Sequence, residues 1–174
     1  MVMSESHTPT IVLLGMMASG KTTVGRALSQ RTGWPYLDND ELVRAVTGRA
    51  PEEIDATDGA DALHAAEAEA LRHALSEPPP LIAGAAAYVA VHQPSVELLR
   101  AGPMVVYLRA QPQTLRERIG AGDGRRADAT DPAWLRARHA ERDETYRELA
   151  GLTVDTDELG PDDVARHILE AVSD

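Results

Sequence analysis

Apolar positions along this chain alternate between short runs typical of buried strands and longer segments with helical spacing. Thr10–Leu14 is a β-branched, apolar run that ends at Gly15, so it is predicted to form a buried strand. Further strands are predicted at Tyr36–Leu37, Leu81–Ala83, Met104–Leu108 and 152–155. Helices are predicted at Gly20–Gln30, 60–76, about 111–119, 132–149 and 161–172. This alternation of strand and helix indicates an α/β domain with a parallel sheet.

The length of the chain, 174 residues with 43% hydrophobic content, favours one domain with a single core. We expect residues 1–9 to form a flexible N-terminus and residues 10–174 to form that domain. Between two predicted helices, the segment 120–132 contains three glycines and two arginines. Its length and composition suit a lid over an active site, and a plain connector is the alternative.

Composition narrows the classes of partner and of chemistry. A net charge of −11 argues against nucleic acid or an anionic membrane as a partner, since both require a basic surface. No apolar run approaches the 18 residues of a membrane span, and the polar start does not resemble a secretory signal. The absence of cysteine excludes disulfides and thiolate chemistry. We therefore expect a cytoplasmic protein, and we expect it to be a monomer.

Basic residues are few, and their distribution is uneven. Of the 17 basic residues, 16 are arginines and only Lys21 is a lysine. For Arg116, Arg136 and Arg138, a solvated helix face balanced by acidic residues is the favoured interpretation. A polyanionic ligand would nevertheless need a local basic patch, and the candidate region holds seven arginines: Arg116, Arg118, Arg125, Arg126, Arg136, Arg138 and Arg142.

The single lysine lies in a phosphate-binding motif. The glycines of this motif allow backbone amides to point at phosphate oxygens, and the helix that follows adds its dipole. Lys21 is expected to reach the β- and γ-phosphates of ATP, and Thr22 to place its hydroxyl on Mg²⁺. The motif G-x-x-x-x-G-K-[ST] is matched at every fixed position, after a predicted strand and before a predicted helix, by Gly15-Met16-Met17-Ala18-Ser19-Gly20-Lys21-Thr22.

Two carboxylates follow the second predicted strand. Asp38 and Asp40 stand at the carboxyl end of that strand, where open α/β sheets bind their ligands. One of them could help to hold hydrated magnesium, and the other could accept a proton from an acceptor hydroxyl. Both are also ordinary N-cap residues for a helix at Glu41–Val46, so the pair has a structural interpretation as well.

Taken together, these motifs make the chain similar to the shikimate kinase family over nearly its whole length. The resemblance implies a P-loop fold of three layers, like that of the nucleoside monophosphate kinases, with a five-stranded parallel sheet flanked by helices. It also implies an acceptor-binding region at about 38–77, a lid at about 120–132, and transfer of the γ-phosphoryl group of ATP, with Mg²⁺, to a hydroxyl of shikimate. Beyond the phosphate loop it rests on Thr23-Val24-Gly25-Arg26-Ala27-Leu28, Leu37-Asp38-Asn39-Asp40, Thr47-Gly48-Arg49, 54–59, 105–108, Glu141-Arg142 with Tyr146, and Val154-Asp155-Thr156.

The resemblance also implies roles for individual residues on the nucleotide side. It places ATP on the loop Gly15–Thr22 and on the adjoining Thr23, with Lys21 as a catalytic cation. It identifies Asp38 as the aspartate near magnesium, beside the Thr22 hydroxyl. The predicted cofactors are therefore ATP and Mg²⁺.

Three further roles follow from the same resemblance. Asp40 matches the aspartate that contacts the acceptor hydroxyls and is expected to act as the base. Arg142 matches the arginine that binds the acceptor's carboxylate. Arg125 in the lid resembles an arginine that meets the phosphates, although the family's Arg-Pro-Leu-Leu is Arg125-Arg126-Ala127-Asp128 in this chain.

Two departures from the family pattern lie on the acceptor side. Where the family has Phe-Arg, with a second arginine for the carboxylate, the chain has Leu63-His64. Histidine lacks the forked, permanently charged donors of arginine. Where the family has three glycines after the third strand, the chain has Ala85-Ala86-Ala87, and alanine resists the positive φ that glycine allows. We predict that these alanines and His64 line the acceptor site; coverage of the helix surface is the alternative for His64.

Three functions are compatible with these residues. The leading interpretation is an enzyme, a phosphotransferase acting on an alcohol group of shikimate or a related cyclic or polyol metabolite. A second keeps the chemistry and changes the acceptor to a gluconate-like sugar acid, a cyclitol or an antibiotic-like hydroxyl compound. A third is a non-catalytic ATP-binding module. Asp40 and Arg142 favour an enzyme, because a sensor needs neither a base nor an acceptor clamp.

Overall fold

The sheet of this protein has the five parallel strands that the sequence predicts. The computed structural model describes residues 9–120 and 131–173, so the predicted N-terminal segment 1–9 lies almost entirely outside the described residues. The strand order is β2-β3-β1-β4-β5, which places β1 in the centre, hydrogen-bonded to β3 and β4. The strands are β1 (Thr10–Leu14), β2 (Tyr36–Leu37), β3 (Leu81–Gly84), β4 (Met104–Arg109) and β5 (Leu152–Asp155).

Helices connect these strands and cover both faces of the sheet. None of the helices that the structure describes combines the length and apolar character needed to span a bilayer. The described residues form a 3-10 helix at Ala87–Val91 and the helices α1 (Lys21–Thr32), α2 (Asn39–Thr47), α3 (Pro51–Asp58), α4 (Ala60–Ser76), α5 (Gln93–Ala101), α6 (Pro112–Gly120), α7 (Pro132–Leu149) and α8 (Pro161–Ser173).

Three of these elements were not predicted from the sequence: α3, α5 and the 3-10 helix. Both α3 and α5 are only eight or nine residues long, and each carries a proline in its first turn. Proline is favoured at that position because the first amides of a helix have no intrahelical partner, but within a short segment it also signals a turn. Helix α2 extends further than the predicted Glu41–Val46 and begins directly after Asp38.

The two faces of β1 belong to two separate parts of the core. Ile11 and Leu13 are fully buried on the face covered by α1 and α8. Val12 and Leu14 are equally buried on the opposite face, where they pack with residues of β4 and α7. This alternation follows from the two-residue period of a strand and gives the predicted arrangement of three layers.

A close contact between α1 and β2 fixes the position of the second strand. Gly25 of α1 lies against the ring of Tyr36, and a Cβ atom at Gly25 would come within 2.5 Å of the Tyr36 Cζ atom. The Tyr36 hydroxyl reaches Asp38, 3.1 Å away, at the carboxyl end of β2. The absence of a side chain at Gly25 therefore lets β2 bring Asp38 close to the start of α1.

Candidate active site

The phosphate-binding motif forms the turn between β1 and α1, where its sequence context predicted it. Gly15 and Gly20 have φ values of +155° and +100°, and a side chain at Gly15 would lie 2.7 Å from the Leu108 carbonyl oxygen. Ala18, with φ of +62°, is the single non-glycine residue with positive φ within the described ranges. Such backbone persists only where surrounding contacts enforce it. The loop is thus curled at the start of a helix, the arrangement in which backbone amides bind phosphate.

The Lys21 side chain folds back over this loop. Its Nζ atom donates hydrogen bonds to the carbonyl oxygens of Gly15, at 2.8 Å, and Met16, at 3.0 Å. Burial lowers the pKa of the Lys21 amine to about 8, although the nearby carboxylates of Asp38 and Glu67 act in the opposite direction. The protonated form of Lys21 is therefore less favoured than that of an exposed lysine, and a negatively charged ligand at the loop would stabilise it.

Asp38 links the phosphate loop to the second strand and the second helix. Its Oδ2 atom accepts hydrogen bonds from the hydroxyls of Thr22, at 2.7 Å, and Tyr36, at 3.1 Å. Its Oδ1 atom accepts from the backbone amide of Asp40 at 3.0 Å, which caps α2. Burial opposes the charged form of Asp38, but these hydrogen bonds outweigh it and lower the pKa of the carboxyl. Asp38 thus caps α2 and at the same time lies beside the Thr22 hydroxyl.

The fit of this region to magnesium depends on its oxygen donors. Mg²⁺ prefers oxygen ligands and usually keeps several waters, with few ligands from protein. Thr22 and Asp38 offer a hydroxyl and a carboxylate 2.7 Å apart, which suits such an ion. In the part of the chain that the structure describes, no group of three or more His, Asp or Glu side chains could hold a metal by itself. The residues present therefore fit a magnesium ion that is held mainly by phosphate and water.

One cavity of about 1020 Å³ joins the phosphate loop to the carboxyl edge of β2 and β3. Arg118, Thr156 and Pro161 line it beyond one side of the loop, and we call this part the nucleotide end. The other part, which we call the acceptor end, is lined by residues of α2, α3, α4, the 3-10 helix and α7. The predicted site residues at the acceptor end are Asp40, His64, Ala85, Ala86, Ala87 and Arg142.

His64 has a defined environment at the acceptor end. Its ring stacks on the ring of Tyr88, with centroids 3.8 Å apart and an angle of 3° between the planes. Both residues are half-buried and line the cavity. Glu67 lies one helical turn further along α4 and also lines the cavity. His64 therefore faces the cavity and does not simply cover the helix surface.

The alanines that replace three glycines do not distort the backbone. Ala85 and Ala86 are buried, and the Ala85 amide donates to the Leu13 carbonyl oxygen at 3.1 Å. None of Ala85, Ala86 and Ala87 has positive φ, and Ala86 adopts an ordinary extended conformation at −65°, 150°. The chain therefore accommodates alanine here in a backbone that does not need the positive φ that glycine allows. What the alanines change is the wall of the cavity, where their methyl groups occupy space.

Arg142 is presented by α7, which is fastened at two points. Beside it in sequence, Asp143 accepts hydrogen bonds at 2.9 Å from the Tyr107 hydroxyl and from the Arg109 Nε atom of β4. One turn later, the Tyr146 hydroxyl donates to the Ala87 carbonyl oxygen at 2.9 Å. The Nε atom of Arg142 is buried and has no hydrogen-bond partner among the described residues. The guanidinium is thus held at the cavity by a well-anchored helix.

Of the arginines in the predicted basic region, Arg118 proves to contact the phosphate loop. Its guanidinium donates to the Ala18 and Ser19 carbonyl oxygens, at 3.3 and 3.4 Å, and to the Thr156 carbonyl oxygen at 2.7 Å. The sequence did not distinguish Arg118 from the other arginines. Its carbonyl partners are 38 to 100 residues away along the chain, so no local pattern indicates these contacts. Arg116 and Arg136 are exposed, in agreement with a solvated helix face.

Arg138 is balanced by an acidic residue, as predicted for an arginine on a helix face, but it also lines the cavity. It is ion-paired with Glu141 at 2.7 Å and lies over the ring of Trp134, 5.7 Å from its centroid. Arg125 and Arg126, and with them most of the predicted lid at 120–132, fall outside the described residues. Their roles therefore stay predictions.

The cavity, the loop and the sheet order can be compared with those of known proteins. The structure is similar to a shikimate kinase from Acinetobacter baumannii in complex with shikimate, with a TM-score of 0.87 and 28% identity over 97% of this chain and 94% of that one. It also resembles a gluconokinase from Sinorhizobium meliloti, with a TM-score of 0.65 and 21% identity, which supports the fold alone. These likenesses confirm the predicted P-loop kinase fold.

The sequence comparisons agree with the structural ones. The shikimate kinase of Moorella thermoacetica is 38% identical over 93% of this chain and 93% of its own length. That of Symbiobacterium thermophilum is 36% identical over 94% and 96%. The family model for shikimate kinase matches residues 17–173. The chain therefore belongs to the shikimate kinase family.

Proposed function

We propose that this protein transfers the γ-phosphoryl group of ATP to a hydroxyl group of shikimate or a related cyclic polyol. The observation that carries the proposal is the presence of Lys21, Asp40 and Arg142 in one continuous cavity. Its volume of about 1020 Å³ is sufficient for a nucleotide and a small acceptor together. Membership of the shikimate kinase family supports the same reaction.

The nucleotide end would bind ATP through the loop Gly15–Thr22 and the adjoining Thr23. Lys21 would give up its hydrogen bonds to two carbonyl oxygens and contact the β- and γ-phosphates instead. The negative charge of the phosphates would favour the charged form of the amine. Arg118 would hold the loop in shape through the carbonyls it contacts. Arg125 of the lid would add a cation to the phosphates once the nucleotide is bound.

Magnesium would be held by Thr22 and, through its hydration shell, by Asp38, with phosphate oxygens completing the coordination. The ion neutralises charge on the β- and γ-phosphates when it is bound. Asp38 stays ionised in the physiological range because its hydrogen bonds lower its pKa. It can therefore act as a carboxylate whenever the nucleotide binds.

The acceptor would lie between α2, α4 and α7, within the predicted acceptor-binding region 38–77 and against Arg142. Asp40 would accept the proton of the attacking hydroxyl as that oxygen forms a bond to the γ-phosphorus. The bond between the γ-phosphorus and the bridging oxygen breaks, and ADP leaves with the electron pair. His64 and Ala85–Ala87 would shape the wall against which the acceptor ring packs.

Two alternatives from the sequence remain distinguishable by experiment. A different acceptor, such as a gluconate-like sugar acid, would use the same residues for catalysis and change only the wall of the acceptor end. A non-catalytic ATP-binding module would bind nucleotide without turnover. A cytoplasmic location and a monomeric state remain part of the proposal and can be checked by fractionation and by sedimentation.

The test is release of ADP with shikimate, gluconate, inositols and aminocyclitols as acceptors. We expect acceptor-dependent turnover that Asp40→Asn reduces by at least about a hundredfold, since general base catalysis contributes about that much. Arg142→Ala should raise the KM for the acceptor more than it lowers kcat. Arg136→Ala is the matched control, because Arg136 lies on the exposed side of the same helix. Nucleotide binding without turnover on any acceptor would refute the proposal and favour the module.

A further inference from the structure

We propose that Arg138, which lies over the ring of Trp134, is a second acceptor-binding residue beside Arg142, and that the two guanidinium groups together bind a carboxylate of the acceptor. The inference rests on the proposed kinase function and narrows its acceptor to a hydroxylated acid. Two observations carry it: the face that α7 turns toward the cavity, and the way in which the Arg138 side chain is held on that face.

One face of α7 runs along the cavity. Trp134, Arg138 and Arg142 follow one another at intervals of four residues, and all three line the cavity. Side chains four residues apart lie on the same face of a helix, and each such step advances about 6 Å along the helix axis. Arg136, which is two residues from Arg138 and therefore on the opposite side of the helix, is exposed. The two cavity-lining arginines thus stand on adjacent turns and face the same space.

The ring of Trp134 gives Arg138 a fixed support. The indole is partly buried and packs against the part of the core that contains Leu135 and Tyr146 of the same helix. The Arg138 Cζ atom lies 5.7 Å from the centroid of the indole, within the range of a cation–π interaction. This contact restricts the long Arg138 side chain, so less conformational entropy is lost when its guanidinium binds a ligand. Trp134 is therefore a positioning residue for Arg138.

The ion pair between Arg138 and Glu141 leaves Arg138 able to bind a ligand. The two side chains are 42% and 51% exposed, and exposed pairs of this kind contribute little to stability because water screens them. The contact with Glu141 is made through the Nη1 atom of Arg138. A guanidinium carries five N–H donors in a fixed fork, so the same group can bind one carboxylate through Nη1 and a second through Nε and Nη2.

The pair of arginines suits a carboxylate on the acceptor. The Nε atom of Arg142 is buried and has no hydrogen-bond partner among the described residues, and an oxygen atom of a ligand would satisfy this donor. A carboxylate has two oxygen atoms, and each can accept from a different guanidinium. The charge of Arg142 lowers the pKa of the Lys21 amine, so Arg142 lies within electrostatic range of the phosphate loop. An acid bound by both arginines would therefore lie along α7 with its hydroxyl groups on the side of Lys21.

The test measures release of ADP with two acids and their carboxylate-free counterparts, shikimate with its methyl ester and gluconate with glucitol. Arg138→Ala should raise the KM for the better acid by about tenfold to a hundredfold, the effect of losing one charge-assisted contact. The KM for the counterpart and the KM for ATP should change by less than about threefold. Arg138→Lys should restore only part of the loss, because lysine keeps the charge without the fork.

Two further variants test the support and provide the control. Trp134→Leu should also raise the KM for the acid, whereas Trp134→Phe, which keeps a ring beneath the guanidinium, should stay close to the wild type. Arg136→Ala removes an arginine from the exposed side of the same helix and should change none of these values.

Three results would overturn the inference and leave the kinase function intact. They are a KM for the acid that Arg138→Ala leaves unchanged, a rise confined to the KM for ATP, which would assign Arg138 to the phosphates, and a preference of the wild type for the carboxylate-free counterparts. Absence of phosphorylation of all four compounds, with ATP still bound, would overturn the kinase function instead. Calorimetric titration of the two acids in the presence of ADP then decides the inference by itself. Binding that Arg138→Ala weakens by about tenfold or more would support it, and binding that is absent or unaffected by the variant would overturn it.

Discussion

The amine of Lys21 offers a direct test of the nucleotide site, because it is the one lysine in the chain. Burial holds its pKa at about 8 in the free protein, well below the ordinary 10.5. Phosphate groups close to the amine favour the ammonium form and therefore raise the pKa again. We expect ATP to suppress labelling of this amine by converting its neutral form to the charged form as well as by covering it.

The magnitude follows from the two pKa values. At pH 8 an amine with a pKa of about 8 is about half neutral, whereas one with a pKa of 10.5 is neutral to roughly 0.3%. The reactive fraction therefore differs by about 150-fold. Restricted access of the reagent to the loop lowers the labelling rate by the same factor at every pH. The midpoint of the pH profile is therefore the quantity that reports the pKa of Lys21.

The assay is competitive labelling with trace acetic anhydride between pH 6 and pH 11, followed by mass spectrometry of the peptide that contains Lys21. The N-terminal amine serves as the internal standard, and Lys21→Arg shows the background. We expect a midpoint near 8 in the free protein and a strongly reduced rate at pH 8 with a non-hydrolysable ATP analogue and Mg²⁺. A midpoint near 10 in the free protein would refute the burial argument, and a rate unaffected by nucleotide would refute the site.

Other perturbations test the remaining parts of the architecture. The lowered pKa of Lys21 means that the unfolded chain binds more protons from about pH 7.5 upward, so the free energy of unfolding should rise with pH up to about pH 9, above which the raised pKa values of the buried tyrosines Tyr36, Tyr107 and Tyr146 act in the opposite direction; urea titrations that show no difference from Lys21→Met in the slope between pH 7.5 and 9 would contradict this. Asp38→Asn preserves a residue that can cap α2 but removes the carboxylate, so it should lower Mg²⁺-dependent kcat far more than it lowers the melting temperature; an unchanged kcat would exclude Asp38 from the magnesium site. Gly25→Ala places a methyl group against the ring of Tyr36 and should cost about 1–3 kcal/mol in urea unfolding, whereas no change would mean that β2 can move away freely. Asp143→Ala removes the acceptor of the buried Tyr107 hydroxyl and one of the two acceptors of the partly exposed Arg109 guanidinium, so it should both destabilise the fold by about 1–3 kcal/mol and raise the acceptor KM; loss of stability with an unchanged KM would separate the anchoring of α7 from acceptor binding.

The nucleotide side was largely predictable because its signals are local. The phosphate loop is eight consecutive residues, and its glycines are required by positive φ at Gly15 and Gly20. The strands were predicted to within about one residue, since each is a short apolar run with clear boundaries. Asp38 was assigned two competing roles, capping and metal binding, and its two carboxylate oxygens allow both.

The acceptor side was predictable in its residues but not in their surroundings. The sequence identified His64 and the three alanines as departures, yet the stack of His64 on Tyr88 joins residues 24 positions apart. The ordinary backbone at Ala85–Ala87 could not be foreseen either, because φ at the end of β3 depends on the loop and helices that surround it. The same holds for Arg118, whose partners lie on the phosphate loop and beyond β5.

By itself, the sequence determined that this chain has a parallel α/β core, a phosphate loop at the end of its first strand and carboxylates at the end of its second. These follow from periodicity, glycine conformation and motif spacing, which act over a few residues. Only the tertiary structure decided which side chains meet across the cavity, how α7 is anchored beneath Arg142, and how the charges of α2, α4 and α7 combine at the acceptor end. The physical reason is that cavity walls and electrostatic fields are sums over elements that are distant in sequence, so no local pattern encodes them.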